Sequence, residues 1–358
     1  MPSLRTGGGN RVFVELARAL AGHYSVEISV PAGVSDKPVF DTGAEIKLNK
    51  IGFTAANLPA RLLNIVALLW HVAAKRDSIV VVSDPLLSLF SFLFNKKRTY
   101  RFLQSDDYIL FDDLHVLRSS LLLKIYKALT KLSYRYKVNY IFNSRFVYDA
   151  FVSVSGRTDV PCRLVHPGVN FDYFNNRDSR PAAPLGICLV GRSHPLKGLQ
   201  DFLTAWRDVK PQLPPPGATV SIISSDNLGH FDLSGMSVIR PQNDRDMAAG
   251  YNAAHIFVYT SRWDGFGLPP LEAMACGCAV ILSDCGGPSE YAVAGRNCLL
   301  YQPGDIAALR ALILHLAGDR QLQSRLSEEG QKTARQFSWA AASRQFLDII
   351  SNQLSPQP

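Results

Sequence analysis

Two series of short β-branched or aromatic runs, each alternating with helical patterns, constrain this chain more than any other feature. The first holds SVEISV (25–30), SIVVVSD (78–84), RTYRFLQ (98–104) and VNYIFNS (138–144). A polar, proline-bearing stretch, NNRDSRPAAP (175–184), reads as a linker. The second series follows it: GICLVG (186–191), ATVSIIS (218–224), SVIRP (237–241), HIFVYTS (255–261), CAVILSD (278–284) and NCLLYQ (297–302). Strand and helix signals in alternation predict parallel sheets covered by helices on both faces. The expected class is therefore α/β, with two doubly wound, Rossmann-like domains over 1–169 and 170–336. A closing helix pattern, FSWAAASRQFLDIISNQL (337–354), puts a terminal segment at 337–358 that is expected to pack toward the first domain. A length of 358 residues with 47% hydrophobic side chains suits two cores better than one.

RTGGGNRVFVELARALAG reads as a glycine loop feeding a helix from about residue 10 to 22. In a doubly wound domain such a loop follows the first parallel strand, yet only Met1 to Arg5 precede Thr6 and Gly7. Five residues do not supply a strand of the usual five or six together with its turn. The expectation is that the start is internal to a longer reading frame, with Pro2-Ser3-Leu4 the end of a truncated first strand.

The net charge of +8 conceals an asymmetry. Residues 1–165 hold 22 Lys and Arg against 13 Asp and Glu, a net of +9, and the remainder holds 16 against 17, a net of −1. Much of the excess lies in LRSSLLLKIYKALTKLSYRYK (117–137), where Leu122, Ile125, Leu129 and Leu132 recur at helical spacing and Lys124, Lys127, Lys131 and Arg135 form another stripe. Two readings stay open. The apolar stripe enters the core with solvated lysines outside, or the helix meets an anionic membrane surface or a polyanionic acceptor. Nucleic acid is not an expected partner, because no zinc finger, aromatic RNP-like strand or basic repeat accompanies the charge. The longest apolar stretches fall well short of the roughly 18 residues of a membrane span, and no basic-then-apolar leader opens the sequence. The six cysteines lack Cys-x-x-Cys pairs, so buried reduced thiols in a cytoplasmic protein are expected rather than a metal site, and the second reading of the basic helix would make that protein peripheral to the inner face of the membrane.

The residues with chemistry cluster in the second half. Val190-Gly191-Arg192 ends a strand and Lys197-Gly198 follows, so two cations sit on the loop beyond the strand's carboxyl end, where they can neutralise a diphosphate. Strand HIFVYTS then delivers Asp264 to a loop in which Gly265 and Gly267 permit close main-chain approach. Pro269-Pro270 suits a helix start, which would put Glu272 in the first turn near the positive end of the dipole, able to accept two hydrogen bonds from a vicinal diol. In the first half, Gly7-Gly8-Gly9 lacks both the dinucleotide pattern and the Walker lysine. The pairs Asp106-Asp107 and Asp112-Asp113 either line an acceptor side or are solvated. His166 reads as a structural residue near the domain join and His194 as a loop residue.

DGFGLPPLEAMACGCAVILSDCGGPSEYAVAGRNCLLYQPGD (264–305), with VGRSHPLKG and HPGVN, resembles the retaining GT-B glycosyltransferases called group 1, or family 4. The resemblance reaches almost the whole chain, and its specific motifs lie in the C-terminal half. It implies two domains facing a cleft, and a metal-independent enzyme that moves a sugar from a nucleoside-diphosphate sugar to a hydroxyl of a glycan or lipid-linked acceptor in bacterial cell-surface polysaccharide synthesis. No cofactor is implied, since the nucleotide sugar is a substrate. Position by position, it gives Glu272 the ribose hydroxyls and Asp264 the hydroxyls of the transferred sugar. Arg192 and Lys197 take the diphosphate, Gly265, Phe266, Gly267 and Leu268 give main-chain contacts, and Gly8 and Gly9 close on the donor. Gln104 and Asp107 match loosely an acceptor-side segment. The family usually has glutamate where Asp264 stands, which leaves the donor sugar open; Arg240 to Gln242 and Trp263 are candidates for reading it.

Two other classes compete. A nicotinamide-dependent oxidoreductase would use the front glycines and an acidic residue about 20 positions on, which Glu27 approximates. A non-catalytic GT-B-like partner protein would keep the fold with a decayed site.

Overall fold

The computed structural model describes residues 8–32, 45–53, 57–109, 120–177, 180 and 184–352. The chain divides into two units, Met1–Pro167 with Trp339–Pro358, and Gly168–Ser338.

In the first unit the elements run α1 (Gly8–Ala21), β1 (Glu27–Pro31), β2 (Lys47–Ile51), α2 (Leu58–Ala74), β3 (Val80–Val82), α3 (Pro85–Ser88), β4 (Thr99–Leu103), α4 (Ser120–Ser133), β5 (Asn139–Phe142) and α5 (Arg145–Ser155). The four strands expected here are present. The short β2, KLNKI, has no apolar alternation to reveal it and is half exposed. All pairing is parallel, but in two sheets, β1-β2 and β3-β4-β5. Residues of both β1 and β3 line each of two cavities of about 370 and 360 Å³. The strand expected ahead of the glycine loop falls on Met1–Gly7, outside the described residues.

The second unit runs β6 (Leu185–Val190), α6 (Leu199–Val209), β7 (Ala218–Ile223), β8 (Ser237–Ile239), α7 (Asp244–Asn252), β9 (Ile256–Tyr259), α8 (Leu268–Ala275), β10 (Ala279–Ser283), β11 (Leu299–Tyr301), α9 (Ile306–Gly318) and α10 (Arg320–Ala334). Every strand expected from the second series is there. They form one parallel sheet in the order β11-β10-β9-β6-β7-β8. Counted from β6 this is 6-5-4-1-2-3, the doubly wound order, in which the chain changes direction between the first and fourth strands. Strands β9 and β10 are buried at every residue, as expected where helices cover both faces. Ile187, Val258 and Ile281 of the sheet pack with Phe202 and Trp206 of α6 and Leu309 and Ile313 of α9. The expected α/β class, with parallel sheets in two Rossmann-like units, is the one observed. The closing helix, α11 (Trp339–Ser351), packs on α1 and joins the first unit through Tyr24 and Ser351, 3.1 Å apart.

Helix α4 corrects one expectation. Its apolar stripe does not enter the core: Leu122, Ile125, Leu129 and Leu132 are all exposed. The buried face is instead Tyr126, Thr130 and Ser133, continued by Tyr134. The cause is Arg101, fully buried in the middle of β4. Its guanidinium donates to the Ser133 carbonyl (3.0 Å) and hydroxyl (2.9 Å) and lies against the Tyr134 and Tyr140 rings. Asp107 sits 3.7 Å away, and its main-chain carbonyl accepts from the Tyr126 hydroxyl at 2.6 Å. A buried cation and carboxylate need polar neighbours, so the helix turns hydroxyls inward, and Ser133 takes both hydrogen bonds that the guanidinium makes.

Arg101→Met should lower stability in urea unfolding, most at alkaline pH, where the buried Asp107 carboxylate would lose its cation. Burial pushes the Asp107 carboxyl up to about 7 against the pull of Arg101. The unfolded group titrates near about 4. The folded form thus keeps a proton that the unfolded chain releases, and this residue's contribution to stability falls as pH rises from about 4 to about 7. Asp107→Asn should remove that slope from the pH profile of unfolding.

Candidate functional site

The site is built where the chain reverses in the second sheet, at the carboxyl ends of β6 and β9. The loop after β6 presses onto the end of β9, and Gly198 permits this: its φ is +64°, and a Cβ there would lie 2.0 Å from the Thr260 carbonyl oxygen. Three bonds hold the contact. Arg262 N donates to the Leu196 carbonyl (2.7 Å), the Ser261 hydroxyl to the same oxygen (3.2 Å), and the Thr260 hydroxyl to the Lys197 carbonyl (3.1 Å).

That clamp brings Lys197 to Asp264. The ammonium lies 2.5 Å from Asp264 Oδ2, which also accepts from the Tyr259 hydroxyl at 2.6 Å. Oδ1 accepts from the amides of Gly267 (3.0 Å) and Phe266 (3.3 Å). Burial pushes the Asp264 carboxyl up, but the Lys197 charge and these four donors outweigh it and hold the group below the usual Asp range. The backbone around it is equally fixed, since Asp264 N donates to the Cys285 carbonyl and Gly287 N to the Asp264 carbonyl. Gly287 is confined to glycine by contact, because a Cβ there would meet Gly265 at 2.2 Å.

Arg192, on the same loop, is paired too. Its Nε lies 3.0 Å from Asp226 Oδ2, which accepts as well from the Ser193 amide (2.9 Å) and hydroxyl (3.1 Å). Burial again raises this carboxyl, and the Ser193 amide and Arg192 bring it below its ordinary value. His194 caps the turn by accepting from Leu196 N, as suits a loop residue.

The structure changes two details of the expected constellation. Helix α8 starts at Leu268, so Pro269 and Pro270 occupy its first turn and Glu272 lies in the second, 3% exposed, with one oxygen accepting from the Tyr251 hydroxyl at 3.2 Å. Of the stretch Gly265, Phe266, Gly267 and Leu268, the amides of Phe266 and Gly267 are turned to Asp264 rather than to open space.

The first-unit candidates gather separately. Gly8 and Gly9 open α1, and Gln104, just beyond β4, donates to the Gly9 carbonyl (3.0 Å) and the Ser83 hydroxyl (2.6 Å). Asp107 neither lines an open surface nor is solvated, because Arg101 and α4 enclose it. Asp112 and Asp113 lie outside the described residues. Glu27, the acidic residue a dinucleotide reading requires, is held by Lys75 (2.6 Å), Ser29 (2.8 Å) and His71 (3.1 Å). Three residues of the second-unit site escaped the sequence reading: Tyr259, Tyr251 and Asp226. Only Asp226 carried a usable signal, standing just past strand ATVSII in SSDN.

The family model described as Glycosyl transferases group 1 matches residues 184–319. Residues 184–319 thus carry a group 1 glycosyl transferase region. The match takes in Arg192, Lys197, Asp264 and Glu272, so the switch-point cluster lies inside the group 1 region. An O-antigen chain mannosyltransferase B from Escherichia coli is 38% identical over 105 residues, 29% of this chain and 27% of its own length. The chain spans about half the length of other curated relatives that it matches. Among solved structures, a sucrose-phosphate synthase from Thermosynechococcus elongatus superposes with a TM-score of 0.83 at 19% identity, over 98% of this chain and 95% of that one. The Anabaena protein HepE, solved in complex with UDP and glucose, gives 0.74 at 17% identity over 98% of each chain. Both likenesses bear on the fold.

Lys197→Met should raise the Asp264 pKa, since burial alone raises it, and carboxyl-carbon NMR titration reads the shift directly. The stabilisation from this ion pair is present at neutral pH and lost as pH falls through the depressed Asp264 pKa, so the variant's unfolding free energy should lose that acid-limb slope.

Proposed function

We propose that this protein is a retaining glycosyltransferase, moving a sugar from a nucleoside-diphosphate sugar to a hydroxyl of a glycan or lipid-linked acceptor, in bacterial cell-surface polysaccharide synthesis. The observation that carries the reading is the pair of cations, Arg192 and Lys197, held on one loop at the carboxyl edge of the sheet's switch point, each against a carboxylate. Ligands of doubly wound sheets bind there. The relative named an O-antigen chain mannosyltransferase and the neighbour solved with UDP and glucose support the substrate class.

In this reading the diphosphate enters between the two cations. Departure of the nucleoside diphosphate builds negative charge on its oxygens, which Arg192 and Lys197 stabilise without a divalent ion. The acceptor hydroxyl attacks the anomeric carbon on the face from which the diphosphate leaves, the carbon–oxygen bond to phosphate breaks, and the acceptor's proton passes to the departing phosphate oxygen. Asp264 positions Lys197 and faces the sugar hydroxyls, and Glu272 takes the ribose diol in exchange for its bond to Tyr251.

Incubation with a panel of nucleotide sugars tests the reaction through release of UDP, GDP or TDP. Lys197→Met should slow release about 10²–10³-fold with any active donor. Glu272→Gln should weaken nucleotide binding by about 1.5–3 kcal/mol in calorimetry, because one accepting oxygen becomes a donor. Release from no donor, or unchanged affinity in Glu272→Gln for each nucleotide that binds the wild type, counts against the assignment.

A further inference from the structure

Exposed apolar side chains concentrate on three segments of the first unit. Helix α4 exposes Leu121, Leu122, Ile125, Leu129 and Leu132, between 44% and 64% each. At about 100° per residue these five fall within about 60° of Ile125, while Tyr126 and Thr130 point to the buried side. Residues 85–94 expose Leu86, Phe90, Phe92 and Leu93. Helix α2 exposes Leu62, Leu63, Val66 and Trp70, the last at 78%. Among the described residues of the second unit, Val238 and Val293 are the large apolar side chains exposed to a comparable degree.

The three segments are neighbours. Leu68 and Leu69 of α2 pack in one cluster with Leu87 and Phe94. The Phe92 ring meets Tyr136, just past α4, edge-on at 5.5 Å, and the Tyr136 hydroxyl donates to the Leu89 carbonyl at 3.2 Å. Soluble surfaces rarely keep so many large apolar groups together without a partner.

Charge selects the partner. Neither α2, nor α4, nor residues 85–98 contain an aspartate or glutamate. Lys124, Lys131 and Arg135 stand exposed beside the α4 stripe, and Lys96 and Lys97 beside the 85–94 segment. Lys127 differs from the other three basic residues of its stripe, being half-buried over the Tyr108 ring at 4.8 Å. An apolar stripe flanked by cations, with no acid in reach along the segment, is the pattern of a helix lying in a bilayer interface. No helix among the described residues is long and apolar enough to cross a membrane.

We propose that the first unit docks on anionic lipid bilayers by inserting the outer face of α4, with Phe90, Phe92 and Trp70 beside it, while Lys124, Lys131 and Arg135 engage the headgroups. The apolar stripe supplies insertion and the cations supply lipid selectivity and salt dependence. This surface stands independently of the transferase reading, since none of its residues belongs to the second-unit site.

The test uses the full chain with vesicles of phosphatidylcholine alone and with phosphatidylglycerol added, by co-sedimentation and tryptophan emission. Wild type should partition at least tenfold more strongly onto the anionic vesicles, with a blue-shifted emission that Trp70→Phe diminishes, and 1 M salt should weaken binding. The triple change Lys124→Gln, Lys131→Gln, Arg135→Gln should abolish the preference for anionic lipid. The double change Ile125→Asn, Leu129→Asn, at exposed positions, should cut binding at least tenfold while leaving the circular dichroism of the protein unchanged. Failure of wild type to bind anionic vesicles at low salt, or equal binding by either variant, overturns the proposal. So does a self-associated wild type that the double change converts to monomer without altering its lipid binding, because the stripe would then be a contact between copies of this chain.

Discussion

The ion pair between Lys197 and Asp264 is the contact on which the second unit's site depends. It joins the loop after β6 to the loop after β9, the two strand ends that flank the reversal of chain direction. Asp264 is held by four donors at once, so it is a fixed negative centre rather than a free acid. Such a centre keeps Lys197 aimed before any ligand arrives, and preorganisation of this kind makes a cation effective against developing charge. Arg192 is held the same way by Asp226, a second carboxylate fixed by the Ser193 amide and hydroxyl. An incoming diphosphate competes with these carboxylates for cations already in place, so little side-chain ordering remains to be done on binding.

The first unit shows the same logic turned to packing. Arg101 in the middle of β4 draws hydroxyls and aromatic faces toward itself and toward Asp107. Helix α4 satisfies that demand with Tyr126, Ser133 and Tyr134, and its leucines are left outside. One buried charge therefore sets the rotation of a whole helix and, through it, the character of the unit's surface.

Much of this was legible in the chain. Among the described residues, ten of the eleven strands show as β-branched or aromatic runs, most clearly β9 and β10, which are buried at every residue. Arg192, Lys197, Asp264 and Glu272 could be picked out because strand ends and glycine turns have strong local patterns. Strand β2 could not, since a half-exposed five-residue strand lacks any such pattern. Nor could the rotation of α4: helical spacing shows that a stripe exists, but which side faces inward was decided by Arg101, some 20 residues earlier in the chain. Tyr259 and Tyr251 look like ordinary core aromatics in sequence, and only the fold shows that their hydroxyls reach Asp264 and Glu272.

The most direct test of the account is a crystal structure of the protein with a nucleoside diphosphate bound. The account predicts phosphate oxygens within hydrogen-bond distance of both Arg192 and Lys197, at the carboxyl edge between β6 and β9, and the ribose hydroxyls on Glu272. A nucleotide seated elsewhere, with the pairs Lys197–Asp264 and Arg192–Asp226 untouched and the diphosphate out of reach of both cations, would contradict it.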